Sequence, residues 1–381
     1  MIQLLAEILV VGDASTLRVL SYITVRAGLA LALAFVLSVL LGPRLIAFLQ
    51  KLQAIQAIRN DVGKDAISLQ EMHKKKIGVP TMGGLLMLGT IVTSTLLFTD
   101  LKSPVVWLAM LCTVGFCGLG FLDDYLKVVK KNSDGLSPRA KIIGQVLLGG
   151  IFAAVYSYVG LEIVSYGTGA DSDKISGPEF LLFPFFKDFM INLGIFYMPF
   201  AILVLTATSN AVNLTDGLDG LAAGVTISAT LCFAIIAYLI GRADSSSYLI
   251  IPHVRGAGEL TVILAALTGA CLGFLWFNAH PAQMFMGDTG SMMLGGLLGS
   301  VALLIKQEAL LLIVGGVFVM EALSVMIQVT SYKLRKKRVF LMAPIHHHFE
   351  RGGLPESKII ARFWIVSALL AMAGLMTLKL R

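Results

Sequence analysis

The sequence predicts an all-α polytopic membrane protein with about ten transmembrane helices. Hydrophobic residues make up 57% of its 381 residues and charged residues only 14%, where a soluble domain carries about 25% charge. The apolar residues also fall into discrete runs close to the ~20 residues that a helix needs to cross hydrocarbon. Thirty-eight glycines fit the same class, because small residues let membrane helices approach closely.

Residues 1–18 contain a short apolar stretch, Met1 to Gly12, interrupted by Glu7. It has neither a positive n-region nor a small-residue cleavage site, so an interfacial helix is expected rather than a signal peptide. Spans are expected near 19–42, 81–99, 104–126, 140–160, 189–209, 219–240, 259–278, 290–305, 309–331 and 359–378. The eighth is short and rich in glycine. The chain reads as a single integral membrane domain, 1–381. Cys112, Cys117, Cys232 and Cys271 fall inside apolar runs without metal-ligand spacing, as small packing residues do.

Basic residues set the orientation. Segments 43–80, 127–141 and 332–357 hold seven, five and six Lys or Arg, and the loops 210–218 and 279–289 hold none. That side carries 18, and the other side, with both termini, carries nine. The positive-inside rule places the first set in the cytoplasm and both termini outside. Four clusters of ionisable residues then share the cytoplasmic face. Charge at the edge of hydrocarbon is costly and marks function by default. A transporter would place such groups at mid-bilayer between broken helices, and the two halves show no clear internal repeat.

Asp123 and Asp124 end the third span, with Lys127 one turn on and Lys130, Lys131, Arg139 and Lys141 following. Two carboxylates at the negative end of a helix dipole need a cation or lysine to offset them. Acids among lysines suit a Mg²⁺–phosphate site; the bland alternative is an interfacial ion pair. Asn213 to Gly220 carries Asn213, Asp216 and Asp219 without a basic residue, and is expected to open the sixth span. Asp216 with Asp219 has capping-box spacing, but the loop also offers hydrogen bonds to a nucleotide base or ribose. Asp288 opens the eighth span between glycines, with Thr289 and Ser291 beside it and Phe285 upstream. A plain N-cap would look similar. Exposed amides there favour phosphate, the acid can hold Mg²⁺, and Phe285 offers a flat face for a base.

His346, His347 and His348 are consecutive, so one helix face cannot present all three to a metal. Contact with phosphate or sugar is the favoured reading. In the segment His73 to Gly84, the lysines either fix topology or bind lipid phosphate, and Lys76 is nearest the second span. Arg26 and Glu321 lie within apolar runs, where snorkelling or an interhelical pair is expected; Glu321 could also border the site.

At these loops the chain resembles the polyprenyl-phosphate N-acetylhexosamine-1-phosphate transferases. The resemblance runs through Pro80-Thr81-Met82-Gly83-Gly84, Asp123–Lys127, Asn213–Gly220, Trp276-Phe277-Asn278-Ala279-His280-Pro281, Phe285–Ser291 and Pro344–Glu350, in order. The histidine tract followed by Phe349-Glu350 marks the muramoyl-pentapeptide branch. Val79 and Leu354 depart from the common threonine and tryptophan, away from the proposed chemistry. The sister activity, transfer of N-acetylglucosamine-1-phosphate, is disfavoured only by the histidine tract and its flanks.

The resemblance implies transfer of phospho-MurNAc-pentapeptide from UDP-MurNAc-pentapeptide to undecaprenyl phosphate. Lipid I and UMP would form, for peptidoglycan synthesis, at the cytoplasmic face of the bacterial inner membrane. It implies Mg²⁺ on Asp288, with Asp123 and Asp124 nearest the lipid phosphate and available to the metal. Asn213, Asp216, Asp219 and Phe285 fall on the nucleoside side. Lys76, Thr81, Lys127, Lys141 and Asn278 join the substrate contacts, and the three histidines join the catalytic set. A homodimer in the bilayer is implied, and no nucleic-acid partner. Direct attack by the lipid phosphate and a covalent aspartyl intermediate both remain compatible with these residues.

Overall fold

The computed structural model describes residues 19–52, 78–130, 135–164 and 174–379. Among these, the helices are α1 (Ile23–Lys51), α2 (Gly84–Phe98), α3 (Pro104–Lys130), α4 (Pro138–Val159), α5 (Tyr197–Thr215), α6 (Leu221–Ile240), α7 (Ala243–Leu249), α8 (Gly258–Asn278), α9 (Gly287–Leu304), α10 (Glu308–Val314), α11 (Gly316–Arg335), α12 (Ile345–Arg351) and α13 (Glu356–Thr377). Eight of them are long and apolar enough to cross a membrane: α1, α3, α4, α5 with its preceding 3₁₀ turn, α6, α8, α11 and α13. The chain is therefore a mostly helical, multi-pass membrane protein. The expected interfacial helix at 1–18 and Lys76 lie outside the described residues.

The architecture is not purely helical. Strands β1 (Glu162–Val164), β2 (Lys174–Ser176) and β5 (His253–Val254) form a small antiparallel sheet with β1 in the middle. Strands β3 (Phe180–Phe183) and β4 (Phe186–Asn192) form a hairpin, pairing Phe180 with Asn192. This corrects the expected fifth span, which was to begin near 189. Phe186, Phe189, Met190 and Ile191 made the apolar run look continuous, but the hairpin takes them, and α5 begins at Tyr197 and runs to Thr215.

The expected ninth span is also broken. Helix α10 stops at Val314, and α11 restarts at Gly316. Adjacent Gly315 and Gly316 explain it, since glycine costs about 1 kcal/mol relative to alanine in a helix interior and glycine pairs are sites of kinking.

The centre of the bundle is α8 and α9. Every residue from Thr289 to Leu304 is buried, so the glycine-rich eighth run is a core element. Gly120 of α3 passes against the backbone of Asp288 so closely that a Cβ would collide with its carbonyl. Arg26 of α1 is 2% exposed, and both its NH groups donate to Glu259 of α8 at 2.7 Å. It also donates to the Phe98 carbonyl at 2.9 Å, so the expected interhelical pair ties α1, α2 and α8. The four cysteines are free and buried. Antiparallel alternation collects the ends of α3, α5 and α8 with the starts of α4, α6, α9 and α13.

Candidate active site

Asp123 and Asp124 lie about two turns before the end of α3, which continues to Lys130. Asp288 sits inside the first turn of α9, where Met286 rather than Asp288 holds the N-cap position. Oxygens of Asp123, Asp124 and Asp288 all lie within 4.8 Å of one another. Lys127 Nζ stands 2.6 Å from Asp123 Oδ2, 3.1 Å from Asp288 Oδ2 and 3.7 Å from Asp124 Oδ1. Lys141, in the first turn of α4, reaches Asp288 Oδ2 at 2.6 Å and Asp123 Oδ2 at 3.5 Å.

Three carboxylates face two ammoniums here, which leaves net negative charge in a mostly buried place. Asp123 and Asp124 are 2% and 3% exposed. Asp123 Oδ2 has no hydrogen bond of good geometry, only its ion pairs. Clustered carboxylate oxygens suit a hard divalent cation, so these residues fit a metal.

Thr289 anchors Asp124, whose Oδ2 accepts from the Thr289 amide at 2.9 Å and from its hydroxyl at 2.7 Å. The Leu136 amide donates to Asp123 Oδ1 at 2.9 Å. Gly287 takes φ +72°, and a Cβ there would meet Asp124 Oδ2 and the Thr81 hydroxyl. That places Thr81 beside the carboxylates. The Pro80–Gly84 motif also clasps the Asp288 loop by backbone. Phe285 N donates to the Pro80 carbonyl at 2.8 Å, and Gly83 N to the Phe285 carbonyl at 2.9 Å. Much of that motif therefore fixes the loop.

The Asn213–Gly220 loop adjoins this cluster. Asn213 Oδ1 accepts from Ser291 Oγ at 3.1 Å, one turn beyond Asp288. The capping-box arrangement is absent. Asp216 follows the last residue of α5, and α6 begins at Leu221 after Gly220, without a side-chain cap. Asp219 is 3% exposed, and its Oδ2 accepts from the Ala282 amide at 3.1 Å. Asn278 is a bracket: its Oδ1 accepts from Gly220 N at 2.9 Å and its Nδ2 donates to the Met284 carbonyl at 2.8 Å. It holds the Asp219 turn against the segment that carries half-buried Phe285.

The histidine tract forms the short helix α12 and divides by role. His346 is fully buried, with Nδ1 3.1 Å from Glu321 Oε2. Its ring occupies the space that a Cβ on Gly217 would need. His347 pairs with Glu350 at 2.8 Å. His348 turns away, accepting from Leu341 N at 3.1 Å through Nδ1 and meeting Phe340 edge-on. His346 thus packs directly against the Asn213–Gly220 loop. Gly217→Ala should therefore expel that ring. We expect turnover to fall at least tenfold while the thermal unfolding midpoint drops by only a few degrees; unchanged kinetics would show that the ring position is immaterial.

Sequence reasoning passed over His280, Glu356 and Ala282, which all meet at the Asp219 turn. His280 lies in a motif quoted for the resemblance, so a signal existed for it. Glu356 had none, because α13 approaches that turn only in three dimensions.

Residues 106–306 match the model of glycosyl transferase family 4. A phospho-N-acetylmuramoyl-pentapeptide-transferase of Maridesulfovibrio salexigens is 49% identical, covering 96% of both chains. Proteins of the same name from Nitratidesulfovibrio vulgaris and Desulfotalea psychrophila are each 50% identical, the first covering 97% of both chains and the second 96%. Half identity over nearly the whole length is decisive, and the chain belongs to the phospho-N-acetylmuramoyl-pentapeptide-transferase family.

Proposed function

We propose that this enzyme transfers phospho-MurNAc-pentapeptide from UDP-MurNAc-pentapeptide to undecaprenyl phosphate, releasing UMP and forming lipid I for peptidoglycan. The observation that carries the reading is the cluster of Asp123, Asp124 and Asp288, faced by Lys127 and Lys141. It stands beside the Asn213–Gly220 loop within a chain of this family.

The chemistry must bring a phosphate monoester against a diphosphate. Unit like charges 4 Å apart repel by roughly 4 kcal/mol at an effective dielectric of 20. Lys127 and Lys141 offset part of that. Asp288, with Asp123 and Asp124, would hold Mg²⁺, which supplies charge neutralisation at the phosphates when bound. Asp123 and Asp124 would lie nearest the lipid phosphate. Asn213, Asp216, Asp219 and Phe285 would receive the nucleoside, with Asn278 holding their loops in register. His346, buried against Gly217 and Glu321, would position the Asn213–Gly220 loop for the substrate. Lys76 would contact the lipid phosphate.

The same reading takes the chain as one integral domain that crosses the bacterial inner membrane ten times. Helices α2 and α9, shorter or less apolar than the eight above, supply the remaining two crossings. Both termini lie outside, the site is cytoplasmic, and the protein works as a homodimer. Reporter fusions at residues 135 and 350 should give a cytoplasmic signal and one at 175 an external signal. A cytoplasmic signal at 175 would invert the topology and remove the shared-face argument.

Purified protein incubated with UDP-MurNAc-pentapeptide, undecaprenyl phosphate and Mg²⁺ should yield UMP and lipid I in equal amounts. UDP-N-acetylglucosamine should neither replace the nucleotide substrate nor compete at similar concentration. Efficient turnover of that sugar would move the chain to the sister activity.

A further inference from the structure

A second cluster of metal-ligating side chains lies apart from the three aspartates. Asp219 comes from the turn before α6, His280 from the loop after α8, and Glu356 from the first residue of α13. One ligand atom of each lies within 4.8 Å of the other two. We propose that Asp219, His280 and Glu356 form a binding site for a transition-metal dication of the Zn²⁺ class, which ties these three segments together.

The spacing carries the argument. With metal–N and metal–O bonds of about 2.0–2.1 Å, neighbouring ligands of a tetrahedral ion stand roughly 3.3–3.4 Å apart. His280 Nδ1 lies 3.2 Å from Asp219 Oδ2 and 3.5 Å from Glu356 Oε2, on either side of that value. One imidazole and two carboxylates form a mixed donor set that Zn²⁺ or Co²⁺ accepts, whereas Mg²⁺ favours oxygen ligands in an octahedron. The carboxylates are also held from outside. Ala282 N donates to Asp219 Oδ2 at 3.1 Å, and Asp219 N donates to Glu356 Oε1 at 2.9 Å. Such outer contacts orient ligands and strengthen metal sites. Asp219 and Glu356 side chains are 3% and 13% exposed, while His280 is 40% exposed. Solvent therefore reaches the side on which an ion would enter and keep a water as fourth ligand.

Without metal, the same atoms form a hydrogen-bonded clasp, His280 Nδ1 donating to Asp219 Oδ2. Metal binding requires that Nδ1 proton to leave, either to solvent or by a shift of the neutral ring to its Nε2–H tautomer.

The full-length protein, stripped with chelator and then given Zn²⁺ in the presence of excess Mg²⁺, should retain about one equivalent of Zn²⁺ per chain through desalting, read by elemental mass spectrometry. Co²⁺ should give the visible absorption of a four-coordinate ion, and Zn²⁺ should raise the unfolding midpoint. His280→Gln should weaken Zn²⁺ binding at least tenfold and abolish the thermal shift. Glu356→Gln should do the same, so that a folding defect in one variant does not decide the result. Asp288→Asn should keep the ion. Failure of the wild type to retain Zn²⁺ in Mg²⁺, or undiminished binding in folded His280→Gln and Glu356→Gln, would overturn the site and leave the clasp. Loss of the ion in Asp288→Asn would overturn it by assigning the ion to the other cluster. These readouts measure binding, so they stand whatever substrate the enzyme turns over.

Discussion

Asp288→Asn should lower turnover by about two to four orders of magnitude, roughly 3–5 kcal/mol in barrier, the scale of one metal's charge stabilisation. Asparagine keeps the size of the side chain and removes its charge. In the structure, Asp288 Oδ2 receives Lys141 Nζ at 2.6 Å and Lys127 Nζ at 3.1 Å, so it organises both lysines as well as offering a metal ligand. The neutral variant leaves two ammoniums facing two carboxylates, and the net negative charge that favours a dication disappears. Excess Mg²⁺ should therefore restore little. The fold should persist, because the start of α9 is held by other contacts. Thr289 donates to Asp124, and Gly84 N donates to the Met286 carbonyl at 3.1 Å. Initial rates of UMP release at saturating substrate, with the unfolding midpoint as control, test this. Near-normal rates with a lowered midpoint would reduce Asp288 to an ion-pairing residue.

The helical plan was legible because hydrocarbon imposes it. A run of ~20 apolar residues has few other uses, and each expected span has a helix or helix pair near it. What the sequence hid was non-helical or tertiary. The aromatic residues of β4 share their composition with a helix, so hydropathy merged them with α5. The gap at Gly315 divides a run that is apolar on both sides, which hydropathy cannot register. Site residue types were legible as charges at helix ends, but their partners were not. Nothing in the spacing of Asp124 and Thr289 announces a bond across 165 positions. Asn278 read as a substrate contact, but both ends of its amide hold backbone. The three histidines looked equivalent, and only burial against Gly217 and Glu321 separates His346 from the others.

The enzyme given UDP-MurNAc-pentapeptide and Mg²⁺ without lipid should release no stoichiometric UMP. A covalent route would require an aspartate to attack the β-phosphorus and hold the sugar phosphate, with one UMP leaving per site before lipid arrives. Both candidate nucleophiles are already committed. Asp124 Oδ2 accepts two hydrogen bonds from Thr289. Asp123 accepts from Leu136 N through Oδ1 and pairs with Lys127 at 2.6 Å through Oδ2. An attacking carboxylate would also have to reach the β-phosphorus from a place where it is almost fully buried. The lipid phosphate needs no such activation. Its second pKa is near 6, so most of it is dianionic at neutral pH, and holding it in line supplies the larger part of the advantage. Rapid-quench measurement should show UMP only after undecaprenyl phosphate is added, rising without a burst. A lipid-independent burst of one UMP per site would reverse the conclusion, and its loss in Asp123→Asn or in Asp124→Asn would then identify the nucleophile.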